Sequence, residues 1–258
     1  MTVETVLEDD GIRLFRDGPV AELTIEREAR RNSLDNPALE AIIAATRQIA
    51  RSDIAVCVVA SEGTKAFCAG SDLKALVGYD LSEKVLHTRL FQEAMTAVDE
   101  LPCATIAAIE GFCLGGGLEL ALGCDLRIAS EESVFGFPEI TVGALPTGGA
   151  TLRAPRAIGM ARAREMMIFA ERMSAQEAQG RGLVSKISAP GATREMAREM
   201  AGKFAENVAP SSVRLMKTLL HNGFATPERA TADLAALADQ ILLASETSQA
   251  AMGAAAKT

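Results

Sequence analysis

Glu119 and Glu139 stand twenty residues apart, each beside chain-bending residues in an apolar setting. Glu119 closes Gly115-Gly116-Gly117-Leu118-Glu119, and Glu139 closes Phe135-Gly136-Phe137-Pro138-Glu139. Two such carboxylates can share one water or proton, one as base and the other as acid, when their environments separate their pKa values. Upstream lies a third segment, Ala66-Phe67-Cys68-Ala69-Gly70-Ser71-Asp72-Leu73. Backbone N–H groups from this loop and from the glycine run could converge on one oxygen. That is an oxyanion hole, in which one donor contributes roughly 2.7–4 kcal/mol to the transition state.

Each segment also has a structural reading. Gly115–Gly117 reads as a tight helix entry, and a glutamate just behind it pairs with the helix dipole. Phosphate cradling is excluded, because the chain has neither GxxxxGK[ST] nor GxGxxG after a strand.

The elements that must position these groups are legible as alternating patterns. Ile12–Phe15 and Val20–Ile25 read as strands around an Asp17-Gly18-Pro19 turn. Asp35 or Asn36 can cap a helix with Pro37 at its first position, its stripe running through Leu39, Ile42, Ile43, Thr46 and Ile49. Ile54–Ala60 and Ala104–Ile109 are continuous apolar runs, as expected of strands covered on both faces. Each leads into one of the two glycine-bearing loops, so both loops are expected at one sheet edge. A helix is predicted over 82–100, short strands at Leu126–Ala129, Val134-Phe135 and Leu183–Ile187, and helices at 193–206, 211–220 and 227–245. The pattern predicts an α/β layered fold with a core over 1–192 and a helical region over 193–258. From Gln249 onward the chain reads as weakly anchored.

Composition narrows the function. A net charge of −8 and a pI near 5.0 count against nucleic-acid or membrane-surface binding as the general role. No stretch approaches the roughly 20 apolar residues of a membrane span. Met1–Asp10 carries four acids and no base, unlike a secretory or transit peptide, so the cytoplasm is the expected compartment. Five cysteines without a CxxC pair suit reduced thiols, and only two histidines are present, His87 and His221. No metal site is expected. Cys68 and Cys113 read as small apolar fillers, and the histidines as surface or packing residues.

Taken in order, the segments Ala69–Asp72, Gly115–Glu119 and Pro138–Glu139 resemble the AGxD, GGGxE and PE segments of the crotonase superfamily, the enoyl-CoA hydratase/isomerase family. Cys124–Ala129, Leu145–Gly149 and Gly182–Val184 resemble further family segments in the right order. The pair of glutamates resembles the hydratase branch. What the resemblance implies is a spiral of repeated ββα units with a C-terminal helical trimerisation region, assembled as trimers or dimers of trimers. The substrate would be an acyl-CoA thioester, with coenzyme A part of the substrate and no separate cofactor. The N–H groups of Ser71 and Gly116 would hold the thioester oxygen. Ala69, Ser71 and Leu73 would border the coenzyme A, Asn32 would flank its entrance, and Lys65 would be the foremost basic residue for its phosphates, ahead of Arg30, Arg31 and Lys217. Asp72, Gly117, Phe137, Pro138 and Leu145 complete the implied substrate-binding set. Glu119 and Glu139 would position a water that adds across the 2,3-double bond, one as base and one as proton donor at C2.

The chain also departs from the family pattern. Ser71 stands where members usually carry alanine, a change that spares a backbone donor. Asp35 replaces a frequent asparagine, as a capping change. Phe137 stands where well-known hydratases carry glutamine, removing a polar group beside the acyl chain. The end, Met252–Thr258, has no aromatic residue and a single base, Lys257, where many hydratases carry a phenylalanine and a basic pair that cover the pocket. Two other readings stay open: a double-bond isomerase or other enolate-forming lyase, and a non-catalytic scaffold binding CoA or RNA.

Overall fold

In the computed structural model of the chain, residues 4–223, 226–243 and 245 are described. The chain opens with an antiparallel meander of β1 (Glu4–Asp9), β2 (Ile12–Asp17) and β3 (Val20–Ile25), followed by α1 (Asn36–Ala50). Three ββα turns follow. The first holds β4 (Val56–Ser61), β5 (Ala66–Cys68), α2 (Leu73–Gly78) and α3 (Leu81–Asp99). The second holds β6 (Ala104–Ile109), β7 (Phe112–Leu114) and α4 (Gly116–Leu122). The third holds β8 (Leu126–Ser130), β9 (Val134–Gly136), α5 (Ala150–Ile158) and α6 (Met160–Ile168). Then come β10 (Met173–Ser174), α7 (Ala175–Gly180), β11 (Lys186–Ser188), α8 (Thr193–Ala205), α9 (Pro210–Gly223) and α10 (Glu228–Leu243).

The first strand of each repeat joins a seven-stranded sheet of order β1-β2-β3-β4-β6-β8-β11, and the second joins a four-stranded sheet of order β10-β9-β7-β5. From β3 to β11 the large sheet is parallel, with Val56 opposite Ala104 and Ile106 opposite Leu126. The chain therefore steps sideways by one strand in each sheet per repeat, which is a spiral. Because β4 and β6 are adjacent and parallel, the loops that leave them open on the same side.

Burial explains the apolar runs. Cys57, Val59, Ala107 and Ile109 face the main core, while Val56, Val58, Ile106 and Ala108 face a second cluster closed by Ala197 and Ala201 of α8. Both faces of the sheet are thus dry, as continuous β-branched strands require. This placement makes α8 part of the core, so the boundary expected at residue 193 runs through packed structure.

Several elements differ from expectation. β1 carries mostly exposed side chains and lacks an apolar alternation, as suits an edge strand that discourages further pairing. The last strand begins at Lys186 rather than Leu183; Leu183 and Val184 are instead buried ahead of it. α5, α6 and α7 lie where no element is expected from the sequence: Pro155 and Gly159 interrupt the pattern of the first two, and α7 is only six residues long. The expectations for the tail from Gln249 and for Met252–Thr258 lie outside the described residues.

Candidate active site

The loop after β5 is clipped to the segment before α1. Leu34 donates its N–H to Gly70 O at 2.9 Å, Asp72 donates to Leu34 O at 2.8 Å, and Ala69 donates to Arg31 O at 3.1 Å. Asn32 braces the clip from beneath, fully buried with φ 55°. Its Nδ2 donates to Glu62 O at 2.9 Å and Ala66 O at 2.7 Å, and its Oδ1 accepts from Arg27 N. Asp72 caps α2 by accepting from Lys74 and Ala75 N–H, and pairs with Arg30 at 3.2 Å. These bonds engage the neighbours of Ser71 and leave its own N–H without an acceptor among the described residues.

The glycine run is shaped by what surrounds it. A β-carbon on Gly117 would lie 2.0 Å from the carbonyl oxygen of Cys68, and one on Gly116 would lie 2.0 Å from Phe91 Cζ. Gly115 O takes the N–H groups of Leu118 and Glu119, at 2.9 and 3.0 Å. The Gly116 N–H is left without an acceptor among the described residues. A β-carbon on Gly70 would lie 3.0 Å from the Gly116 nitrogen, so the two loops touch backbone to backbone. The fold thereby brings the free N–H groups of Ser71 and Gly116 to the one place where these loops meet.

The carboxylates flank this contact. Glu119 is 2% exposed; burial raises its pKa, and backbone donors around Ala150, Gly148 and Thr147 offset part of that rise. Its Oε1 accepts from Ala150 N–H at 3.0 Å. Glu139 starts a 3-10 turn, Glu139–Val142, and its Oε2 is buried with no partner among the described residues. Burial pushes Glu139 up to about 7, with a further upward contribution from Glu119. Burial thus raises both carboxyls of the pair, Glu139 to about 7, while the backbone donors around Glu119 favour its ionised form.

The remaining candidates lie at different depths. Ala69 and Pro138 are half-buried, while Leu73 and Leu145 are 53% and 72% exposed beside the loops. Lys65 is exposed, as are Arg30 and Arg31. Phe137 is fully buried in the main core. Lys217 is not available to a phosphate: it is buried, donating to Cys103 O at 3.2 Å and Asp125 Oδ2 at 2.9 Å. Among the described residues no group of three or more His, Cys, Asp or Glu is placed to share a metal ion. All five cysteines are buried free thiols.

His87 is neither a surface residue nor simple packing. Its Nε2 lies 2.9 Å from Ser71 Oγ and its Nδ1 lies 2.8 Å from Asn36 Oδ1. Nothing local reveals this, since the three residues come from α1, the loop after β5, and α3. The one signal is a hydroxyl at position 71, where the donor needs only a backbone.

A family model for enoyl-CoA hydratase/isomerase matches residues 16–255 of the chain. The chain belongs to that family. Among similar members, the short-chain-enoyl-CoA hydratase of Clostridium acetobutylicum is 33% identical over 218 residues, covering 84% of this chain and 83% of that protein. The mitochondrial enoyl-CoA hydratase domain-containing protein 2 of Bos taurus is 37% identical, covering 79% and 70%. The crystal structure of an enoyl-CoA hydratase from Bacillus anthracis superposes with a TM-score of 0.87 at 34% identity, covering 92% of each chain. The protein is thus an enzyme of the crotonase superfamily, and its two-sheet spiral is the crotonase fold.

Proposed function

We propose that the protein is an enoyl-CoA hydratase, adding water syn across the 2,3-double bond of a 2-enoyl-CoA thioester. The observation that carries this reading is the flanking of one backbone donor site by two buried carboxyls, one of them pushed up to about 7. The thioester oxygen sits against the N–H groups of Ser71 and Gly116, which stabilise it as it becomes enolate-like. Glu119, held by backbone donors, takes a proton from the water that attacks C3. Glu139 delivers a proton to C2. Shifting a double bond needs one shuttling base, whereas hydration handles a proton on two sides of the new bond, which favours hydratase over isomerase.

Ala69, Gly117, Leu73, Pro138 and Leu145 border the thioester and its pantetheine, and Lys65 is the foremost group for the coenzyme A phosphates. Asn32 and Asp72 serve from behind, holding the loop that carries Ser71. Phe137 acts on acyl preference through packing behind Glu139. Coenzyme A enters with the substrate and no further cofactor is needed. Exposed Met216, Leu220, Leu234, Leu237 and Ile241 on α9 and α10 support trimer or dimer-of-trimers packing through the region from 193 on. No described helix is long and apolar enough to cross a membrane, and the cytoplasm is the compartment we propose.

The test is turnover of crotonyl-CoA, followed as loss of the conjugated thioester absorbance. Glu119→Gln and Glu139→Gln should each lower the rate at least tenfold, in keeping with the roughly 10²–10⁴-fold worth of general acid–base groups. Conversion of a 3-enoyl-CoA into its 2-enoyl isomer without hydration would instead establish an isomerase.

A further inference from the structure

The contact between His87 and Ser71 continues beyond that pair. Asn36 Nδ2 points at Glu83 O, 3.5 Å away, which turns its Oδ1 toward the imidazole. An amide oxygen only accepts, so His87 Nδ1 must carry the proton and Nε2 must present its lone pair. The lone pair faces Ser71 Oγ at 2.9 Å, so the serine O–H donates to it. The ring is held in place: His87 is 5% exposed, between Tyr79 at 6.3 Å and Phe91 at 5.7 Å between ring centroids. Phe91 in turn abuts Gly116. Ser71 itself is half-buried, less enclosed than the histidine.

We propose that Ser71, His87 and Asn36 form a nucleophilic relay with which this site also hydrolyses acyl-CoA thioesters through an acyl-Ser71 intermediate. The proposal rests on the reading that the thioester oxygen binds the Ser71 and Gly116 N–H groups. Serine, a base on its hydroxyl and an orienting group behind the base are the three roles of a hydrolytic triad, recognised by geometry rather than by order in the chain. In triad hydrolases the nucleophile's own N–H helps to form the oxyanion hole. Ser71 combines both positions, so a carbonyl oxygen held by its N–H brings the carbonyl carbon near its Oγ.

The steps balance without an oxidant or reductant. Ser71 Oγ bonds to the thioester carbon as its proton passes to His87 Nε2, and the oxyanion rests on the two N–H groups. The C–S bond breaks, the proton passes from His87 to the sulfur, and coenzyme A leaves as the thiol. Water then attacks the serine ester with His87 again as base, releasing the carboxylic acid and restoring Ser71. Burial holds His87 below the usual imidazole range, against an opposing pull from Asp35, which keeps it neutral as a base.

Hydrolysis needs no double bond, so butyryl-CoA separates it from hydration. The experiment measures free coenzyme A by chromatography, with an acid quench and peptide mass analysis for a butyryl adduct. The Glu119→Gln/Glu139→Gln double variant removes both carboxylates as rival nucleophiles, and it should still release coenzyme A and carry the adduct on Ser71. Ser71→Ala and His87→Gln should each lower release at least about a hundredfold, in the range of triad and acid–base losses. Release by the wild type no faster than in buffer, undiminished release by Ser71→Ala, or an adduct on a glutamate would overturn the proposal. The adduct on wild-type protein decides the matter even if a variant misfolds. Hydration of crotonyl-CoA without release from butyryl-CoA sinks this inference alone; release without hydration sinks the hydratase reading alone.

Discussion

The carboxylate of Glu139 occupies the space where a side chain on Gly115 would begin: a β-carbon there would lie 2.9 Å from Oε1. The first glycine of the run therefore makes room for the acid rather than for substrate. Gly117 faces an immovable neighbour instead, the backbone carbonyl of Cys68.

Gly115→Ala and Gly117→Ala should consequently fail in different ways. In the first, the Glu139 side chain can yield, and the backbone at φ 53°, ψ −124°, outside the left-handed helical region, costs about 1–3 kcal/mol for a residue with a β-carbon. We expect a folded protein whose hydration rate falls about a hundredfold from a misplaced carboxyl. In the second we expect loss of several degrees in Tm or failure to fold. Thermal unfolding and crotonyl-CoA turnover of both variants check this; a fully active Gly115→Ala would refute the account.

The pH profile of hydration follows from the roles. Glu139 must be neutral to donate its proton, and it titrates at about 7. Its competent form declines tenfold per pH unit above that value, so kcat/KM should fall along the alkaline limb with an apparent pKa near 7. The acid limb belongs to Glu119, which must ionise. A profile flat from about pH 6 to 9 would remove Glu139 from the role of acid.

The same burial costs stability when the charge forms. Glu139 has a folded pKa of about 7 against an unfolded 4.5, so its favourable contribution is complete below pH 4.5 and is lost as the pH rises through 7. Glu139→Gln should match wild type in Tm at pH 4.5 and exceed it at about pH 8. The gain should be on the order of 1–2 kcal/mol after allowance for solvent, or about 2–4 °C per kcal/mol. Equal Tm values under the alkaline condition would argue against a destabilised carboxylate.

Lys217 ties α9 to the core through Asp125 and Cys103 O, and Asp125 in turn accepts from Thr105 N–H and Oγ. Lys217→Met should cost about 1–3 kcal/mol of stability, the range for a buried acceptor losing its donor. KM for crotonyl-CoA should change less than about twofold, because the ammonium faces the protein interior. A large rise in KM with unchanged Tm would return Lys217 to the coenzyme A site.

What could be read from the residues was governed by local pattern. The strands β4 and β6 declare themselves because both their faces are covered, and α1 because Asp35 and Pro37 mark its start. β1 stays hidden because an edge strand of charged residues has no alternation to detect. β5 and β7, three residues each, are too short for a period to show, whereas β9 is anticipated at Val134-Phe135; all three carry the repeat into the second sheet. In the candidate site, Ser71, Gly116, Glu119 and Glu139 are legible because each sits in a segment with its own signature. His87 is not: its role arises from three elements folding together.

The close contacts of Gly116 and Gly117 also decide where this site can change over generations. A side chain at either position collides with Phe91 or with the main chain, so mutation there meets a wall. Position 71 is different, because its contribution to the proposed oxyanion hole is written in the backbone, which leaves its side chain free to take on another role. Novel chemistry can therefore be tried at that single residue without dismantling the old, and the pocket becomes a place where drift is channelled rather than merely resisted.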